Sequence, residues 1–215
     1  MISFIISSKF ESPFSLKLIE ILLKASNRCE VILVNRTASK LDSLNNLNIK
    51  VIEAGPGIGK NQCWNMGVDQ ATNKYICLLE SDILFNPWPL IDAVEKLNIS
   101  SIGIIGVDVA EYTSDKINKL NDTITFNVIN DYVKGFDGMM LLPKSNYIKM
   151  PDDMKEYYGG NLLVQYSKNK LKKKIFTFRN LNIMAFNKAD QQVPVKNDDK
   201  KPYQRELEKL ISTIL

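Results

Sequence analysis

An α/β fold, with a mixed but mostly parallel sheet flanked by helices, is what this 215-residue sequence predicts. Short β-rich runs alternate with helical patterns through the first half, the signature of βαβ units. The runs ISFIIS, EVILVN and KYICLL are almost continuously apolar, which suits strands covered on both faces. Each ends on polar residues, so the carboxyl ends of neighbouring strands should meet along one crevice.

The elements follow in order. Residues 2–7 form the first strand; Ser12 caps a helix with Pro13 at its first position and Leu16, Ile19, Leu22 and Leu23 on one face. Residues 30–35 form the second strand, a short helix lies near Lys40 to Leu44, and NIKVIE at 48–53 is the third strand. After the loop AGPGIGK comes a helix from about Asn61 to Ala71, and the fourth strand then delivers Glu80 and Asp82. Beyond Pro87 a helix carries Leu90, Ile91, Val94 and Leu97 toward a fifth strand, SIGIIGVDV. The second half reads as strands near 124–130 and 138–142, a helix over 153–169, and strands at 174–178 and 181–186.

With 45% hydrophobic and 24% charged residues, the chain suits one domain with a tail. The domain is expected over 1–187, divided at 108, with a polar linker at 188–201 and an amphipathic helix at 202–215. Leu207, Leu210, Ile211, Ile214 and Leu215 share one side of that helix. The stripe requires a cover: the parent domain, a second copy in a homo-oligomer, or a membrane surface. The net charge of +4 is concentrated in Lys168, Lys170, Lys172, Lys173 and Lys174, which suit either phosphates or a solvated helix end.

Cys29, Cys63 and Cys77 are odd in number, and Cys77 lies in an apolar run. A disulfide framework is therefore not expected, and a cytoplasmic setting is. MISFIISS reads as a strand and not a signal peptide, and no apolar stretch is long enough to cross a membrane. The sequence has no histidine, which removes the commonest zinc ligand and every Ser-His or Cys-His nucleophile. A metal here must be held by oxygen, which points to Mg2+ or Mn2+.

Two glycine-loop motifs fail on spacing. The Walker position for glycine is Ala54 and Asn61 follows Lys60, while the dinucleotide pattern lacks its third glycine after Gly55-x-Gly57 and Gly57-x-Gly59. What survives is a helix start at Gly59 or Lys60, whose free N–H groups and lysine would attract a diphosphate. Glu80-Ser-Asp82 before Asn-Pro has two readings: the start of a turn, or two oxygens at a crevice whose repulsion a divalent ion bridging to a diphosphate would offset. Ser7 and Asn35 end neighbouring strands and are expected to face the same ligand.

ISFIIS, EVILVN and GKNQCWNMGVDQATNKYICLLESDILFNP together resemble the nucleotide-binding half of GT-A-fold glycosyltransferases of the family 2 type. The likeness covers residues 1 to about 108, with Gly59, Asn65, Gly67, Ala71 and Tyr75 at the family's glycine, asparagine, glycine, alanine and aromatic positions. It implies a Rossmann-like GT-A fold and a nucleotide-sugar donor, a UDP-sugar first. Asp82 matches the direct metal ligand of the Asp-x-Asp motif, and Glu80 matches the first acid, which faces ribose and diphosphate. Glu80 departs from the usual Asp, and Asn35 stands where an acid often reads the nucleoside. KGFDGMMLLPKS resembles the acceptor-site segment, and PDDMKEYYGGNLLVQYSKNKLKKK the helix that supplies a catalytic base, although Gly159, Gly160 and Asn161 occupy the acid's neighbourhood. Asp137, Asp152, Asp153 and Glu156 are the substitutes, Asp137 first because it lies in a glycine-flanked turn.

The expectation is a metal-dependent hexosyl- or pentosyltransferase with Ser7, Asn35, Lys60, Asn65 and Glu80 at the donor and Glu80 and Asp82 on the metal. Asp137, Asp153 and Glu156 are its candidate bases. Its acceptor would be a glycan hydroxyl or, given the lysine cluster, a modified DNA base. A nucleotidyltransferase and a non-catalytic nucleotide-binding module are the alternatives.

Overall fold

A computed structural model describes residues 1–39, 41, 44, 47–96, 101–113, 124–186 and 199–212. The expected helix near Lys40 to Leu44, residue Leu97, the linker from 187 to 198, and Ile214 and Leu215 lie wholly or mainly outside those residues.

The strands β1 (Ile2–Ser8), β2 (Cys29–Asn35), β3 (Lys50–Glu53) and β4 (Tyr75–Glu80) pair in parallel, in the spatial order β3-β2-β1-β4. Every residue of β1 is buried. Ile2, Phe4 and Ile6 face one apolar cluster and Ile5 the other, which is why the strand is apolar throughout. The first cluster takes in α1 (Phe14–Leu23), the second α2 (Lys60–Gln70). Trp64 on α2 is fully buried and contributes roughly 2–3 kcal/mol by leaving water. Gly67 lets α2 sit against β1, since a Cβ there would fall 2.3 Å from Ile5 Cγ2.

The start of α1 is as expected in one respect: Ser12 Oγ accepts from Phe14 N–H at 3.1 Å. Its buried face differs. Ser15, Leu18, Ile19 and Leu22 are buried and Leu16 is 55% exposed, because Ser15 turns inward to donate to Ser81 O at 3.2 Å.

After β4 come β5 (Ile83–Leu84), α3 (Pro87–Lys96), β6 (Ile102–Gly106), β7 (Tyr112–Thr113), β8 (Thr125–Ile129) and β9 (Met139–Pro143). The helix α4 (Gly159–Gln165), strands β10 (Lys174–Arg179) and β11 (Ile183–Ala185), and α5 (Lys200–Ser212) complete the chain. Among the described residues the main sheet has eight strands in the order β3-β2-β1-β4-β9-β6-β10-β8. Strand β9 runs antiparallel between β4 and β6, and β8 antiparallel beside β10. A three-stranded sheet, β5-β11-β7, sits at the end of β4.

Two expectations are corrected. Residues 153–158 are not helical: α4 begins at Gly159 and opens into a wide turn over 166–170, where Leu171 N–H donates to Tyr166 O. The C-terminal helix starts at Lys200 rather than Pro202. Pro202 and Leu210 are buried and α5 packs beside α4, so among the described residues of its apolar stripe the parent domain covers Leu210, while Ile211 stays 48% exposed. No described helix is long and apolar enough to cross a membrane.

Candidate active site

Glu80 closes β4, and the Ser81–Asp82 turn after it is fixed from both sides. Ser15 of α1 bonds Ser81 O, and Phe186 N–H donates to Asp82 O at 2.9 Å. The pair thus rests on rigid neighbours rather than in a free turn. Register brings Ser7 of β1 opposite Glu80, and both line a cavity of ≈ 570 Å³ with Lys9, Arg36, Lys60, Asp82, Glu156 and Tyr157. A second cavity, ≈ 660 Å³, shares Lys60, Glu80, Asp82 and Tyr157 and adds Tyr112, Tyr132, Lys134, Asp137 and Tyr158. The two form one cleft divided by Lys60.

Lys60 is the junction. Its Nζ donates to Glu80 Oε1 at 2.6 Å and to Asp137 Oδ2 at 3.4 Å, and lies 5.0 Å from the Trp64 ring centroid. Burial works against its charge, but the two carboxylates outweigh burial and hold the ammonium well above the usual lysine value. Asp137 also accepts from Tyr132 OH at 2.5 Å. Burial would raise its carboxyl, yet Lys60 and the tyrosine hold it below the ordinary range. Glu80 goes the other way, because burial and the neighbouring Asp137 and Asp82 exceed what Lys60 offsets. Burial likewise raises Asp82.

Asp82 Oδ1 is buried and has no hydrogen-bond partner. An unpartnered buried carboxylate oxygen is costly, and its chemistry fits a hard divalent cation. Among the described residues no group of three or more His, Cys, Asp or Glu side chains is arranged to hold a metal. Two carboxylates still suit Mg2+ or Mn2+, which commonly keep waters and take ligand phosphate oxygens.

Several expected site residues serve elsewhere. Asn35 is fully buried, donating to Glu53 and Ser39 O and accepting from Thr37. Its amide is spent within the protein, and Arg36 lines the cleft in its place. Asn65 bonds Met150 N–H and O and accepts from Tyr147 OH, which ties α2 to residues 147–150, and it lines neither cavity. Asp153 is exposed and forms a two-point ion pair with Arg205 of α5, outside either cavity. Glu156 does reach the cleft, but its carboxylate is engaged by Arg36 and by Lys60 N–H. Together with Lys155 O, which accepts from Asn61 N–H at 2.8 Å, it caps the start of α2. The first two amides of α2 are therefore engaged within the protein, while the Lys60 side chain lines the cleft.

The lysine cluster lies away from the cleft. Lys174 pairs with Ile102 at the amino end of β6, about 16 Å along six strand residues from the carboxyl ends that carry the site. All three cysteines are free and buried, and burial raises each thiol, which leaves them poor nucleophiles. Arg36 and the four cleft tyrosines were missed from the sequence; the polar step after EVILVN was a usable signal for Arg36 alone.

No protein-family model and no curated protein sequence matches the chain. Solved structures do. S. aureus TarS 1-349 superposes with a TM-score of 0.68 at 14% identity over 98% of this chain and 65% of that one. Its complex with UDP-GlcNAc gives 0.70 at 14% identity, over 98% and 66%. The mannosyltransferase PcManGT from Pyrobaculum calidifontis, in complex with GDP-Man and Mn2+, gives 0.59 at 12% identity, over 99% and 63%. This chain spans slightly less than two thirds of each. The fold it shares with them is the Rossmann-like GT-A fold.

Proposed function

From a GT-A-type fold with this cleft, we propose that the chain is a glycosyltransferase moving a sugar from a nucleoside diphosphate, UDP first, to an acceptor hydroxyl. The observation that carries the reading is Asp82 Oδ1, buried without a partner beside the Lys60–Glu80 pair where the two cavities join. The structural neighbours captured with UDP-GlcNAc and with GDP-Man and Mn2+ support a nucleotide-sugar donor.

The smaller cavity, with Ser7, Lys9, Arg36 and Lys60, suits the donor. Asp82 and Glu80 would hold Mn2+ or Mg2+, which when bound supplies positive charge to the leaving diphosphate. Lys60 adds a fixed ammonium at the boundary between donor and acceptor. On the other side Asp137 is kept ionised, and its Oδ1 is taken by Tyr132. Oδ2, which faces Lys60 Nζ at 3.4 Å, is the oxygen that receives the acceptor proton. A glycan acceptor is favoured over a DNA base, because four tyrosines line the second cavity and the cluster at Lys168 to Lys174 is not among its lining residues, Lys174 lying at the amino end of β10. Three unpaired buried cysteines suit a reducing cytoplasm.

A screen of UDP- and GDP-sugars with Mn2+, following release of nucleoside diphosphate, tests this. Turnover that falls about a hundredfold or more in Asp82→Ala is expected. Full turnover in that variant refutes the proposed site. Release of pyrophosphate would mean nucleotidyl transfer, and metal-independent binding without turnover a binding module.

A further inference from the structure

The cleft wall formed by residues 153–158 has no regular structure of its own, yet it presents Glu156, Tyr157 and Tyr158 to the two cavities. It is gripped from behind at three points by the C-terminal helix. Asp199, immediately before α5, is only 4% exposed. Its carboxylate accepts three successive backbone N–H groups, from Lys155 at 3.0 Å, Glu156 at 2.6 Å and Tyr157 at 2.7 Å. Such a nest of amides around an anion is a strong, directional anchor. Tyr203, four residues on, stacks on Tyr158 with centroids 5.0 Å apart and planes 12° from parallel. Tyr158 has a φ of +62°, a strained conformation for a tyrosine that persists only when its surroundings fix it. Arg205 closes the grip on Asp153 with bonds of 2.8 and 2.9 Å.

The opposite side of the same loop lies on α2. Asn61 donates to Met154 O and Tyr157 O, and Glu156 engages Arg36 and Lys60 N–H. The loop is therefore a spacer between α5 and the residues assigned to the donor.

We propose that Asp199 is a positioning residue. Through the amides of residues 155–157 it sets Glu156, and through Glu156 it sets Arg36 and the start of α2, so that the C-terminal helix fixes the shape of the nucleotide cleft. The proposal rests on the nucleotide-sugar reading of that cleft. Asp199 itself touches neither cavity.

The test titrates UDP and GDP, each with Mn2+, into the full chain and its variants by calorimetry, with melting curves alongside. Asp199→Ala should weaken nucleotide binding about tenfold while remaining folded. Arg205→Asp should weaken it about threefold, and the exchanged pair Asp153→Arg/Arg205→Asp should restore it. The melting curves separate the two effects: affinity lost in a variant that is fully folded at the titration temperature is not a loss of stability. Unchanged affinity in folded Asp199→Ala overturns the proposal. If that variant does not fold, Arg205→Asp and the exchanged pair decide: loss and recovery support the proposal, and no loss overturns it. If the unaltered chain binds neither nucleotide, the functional reading fails, and hydrogen exchange judges the anchor by itself. Amides 155–157 protected in the unaltered chain and fast in Asp199→Ala retain it, whereas equal protection in both removes it.

Discussion

Residues 1–108 and residues 109–186 both supply groups around Lys60 but hold them by different means. In the first half, side chains are aimed by strands and helices. Ser7 and Glu80 sit opposite each other because β1 and β4 pair in register, and Lys60 opens a helix pinned to β1 at Gly67. In the second half, Asp137 lies in a short turn after Gly135, whose φ of +88° only glycine adopts easily. Glu156 and Tyr157 lie in a loop anchored from outside itself. Regular elements carry most of the first half's site groups, with Phe186 also fixing Asp82, whereas the loop at 155–157 takes its geometry from Asp199.

The sharpest way to break this comparison is at Asp137. Under the assigned roles, Asp137→Asn lowers kcat by about 10² to 10⁴ while nucleotide affinity stays within about twofold. A large change in affinity instead would mean that the two cavities are not functionally separate. Single-turnover kinetics beside calorimetry reads both quantities.

Lys60→Met comes next. It strands Glu80 and Asp137, whose side chains are 27% and 23% exposed, and should cost roughly 2–4 kcal/mol in urea unfolding. A loss well below 1 kcal/mol would show that the halves do not depend on this junction. The smallest effect is expected at Glu30 in the first half. Burial would raise its carboxyl, but Lys50, Ser3 Oγ and Thr72 N–H bind it and lower the value below 4.5. A depressed folded value contributes stability above the unfolded value and loses it as pH falls through the folded one. Acid titration of Glu30→Gln should therefore show a shallower loss of stability below about pH 4.5 than the unaltered chain, by about 1 kcal/mol or less.

The same division explains what the sequence could reveal. β1, β2 and β4 were legible because burial on both faces leaves an apolar run, and Glu80 and Asp82 because acids at the end of such a run need a reason. The roles of Asn35 and Asn65 were not, since their amides are saturated by Glu53 and Met150, partners no local pattern displays. Leu16 looked buried by spacing, but Ser15 took the inward position through a bond to Ser81. Residues 153–158 carry helix-forming types and were read as helix, whereas their amides are claimed by Asp199. Asp199 itself looked like linker because composition cannot register a contact made across more than forty residues.

Strand β9 lies between β4 and β6 and is hydrogen-bonded to both. A strand from the later part of the chain thus ties two earlier ones together, which opposes a clamshell opening between them. Under the proposed reading, substrate entry and product escape would fall to rearrangement of rim segments, and the pace of turnover would become a property of the shortest, least regular stretches of chain.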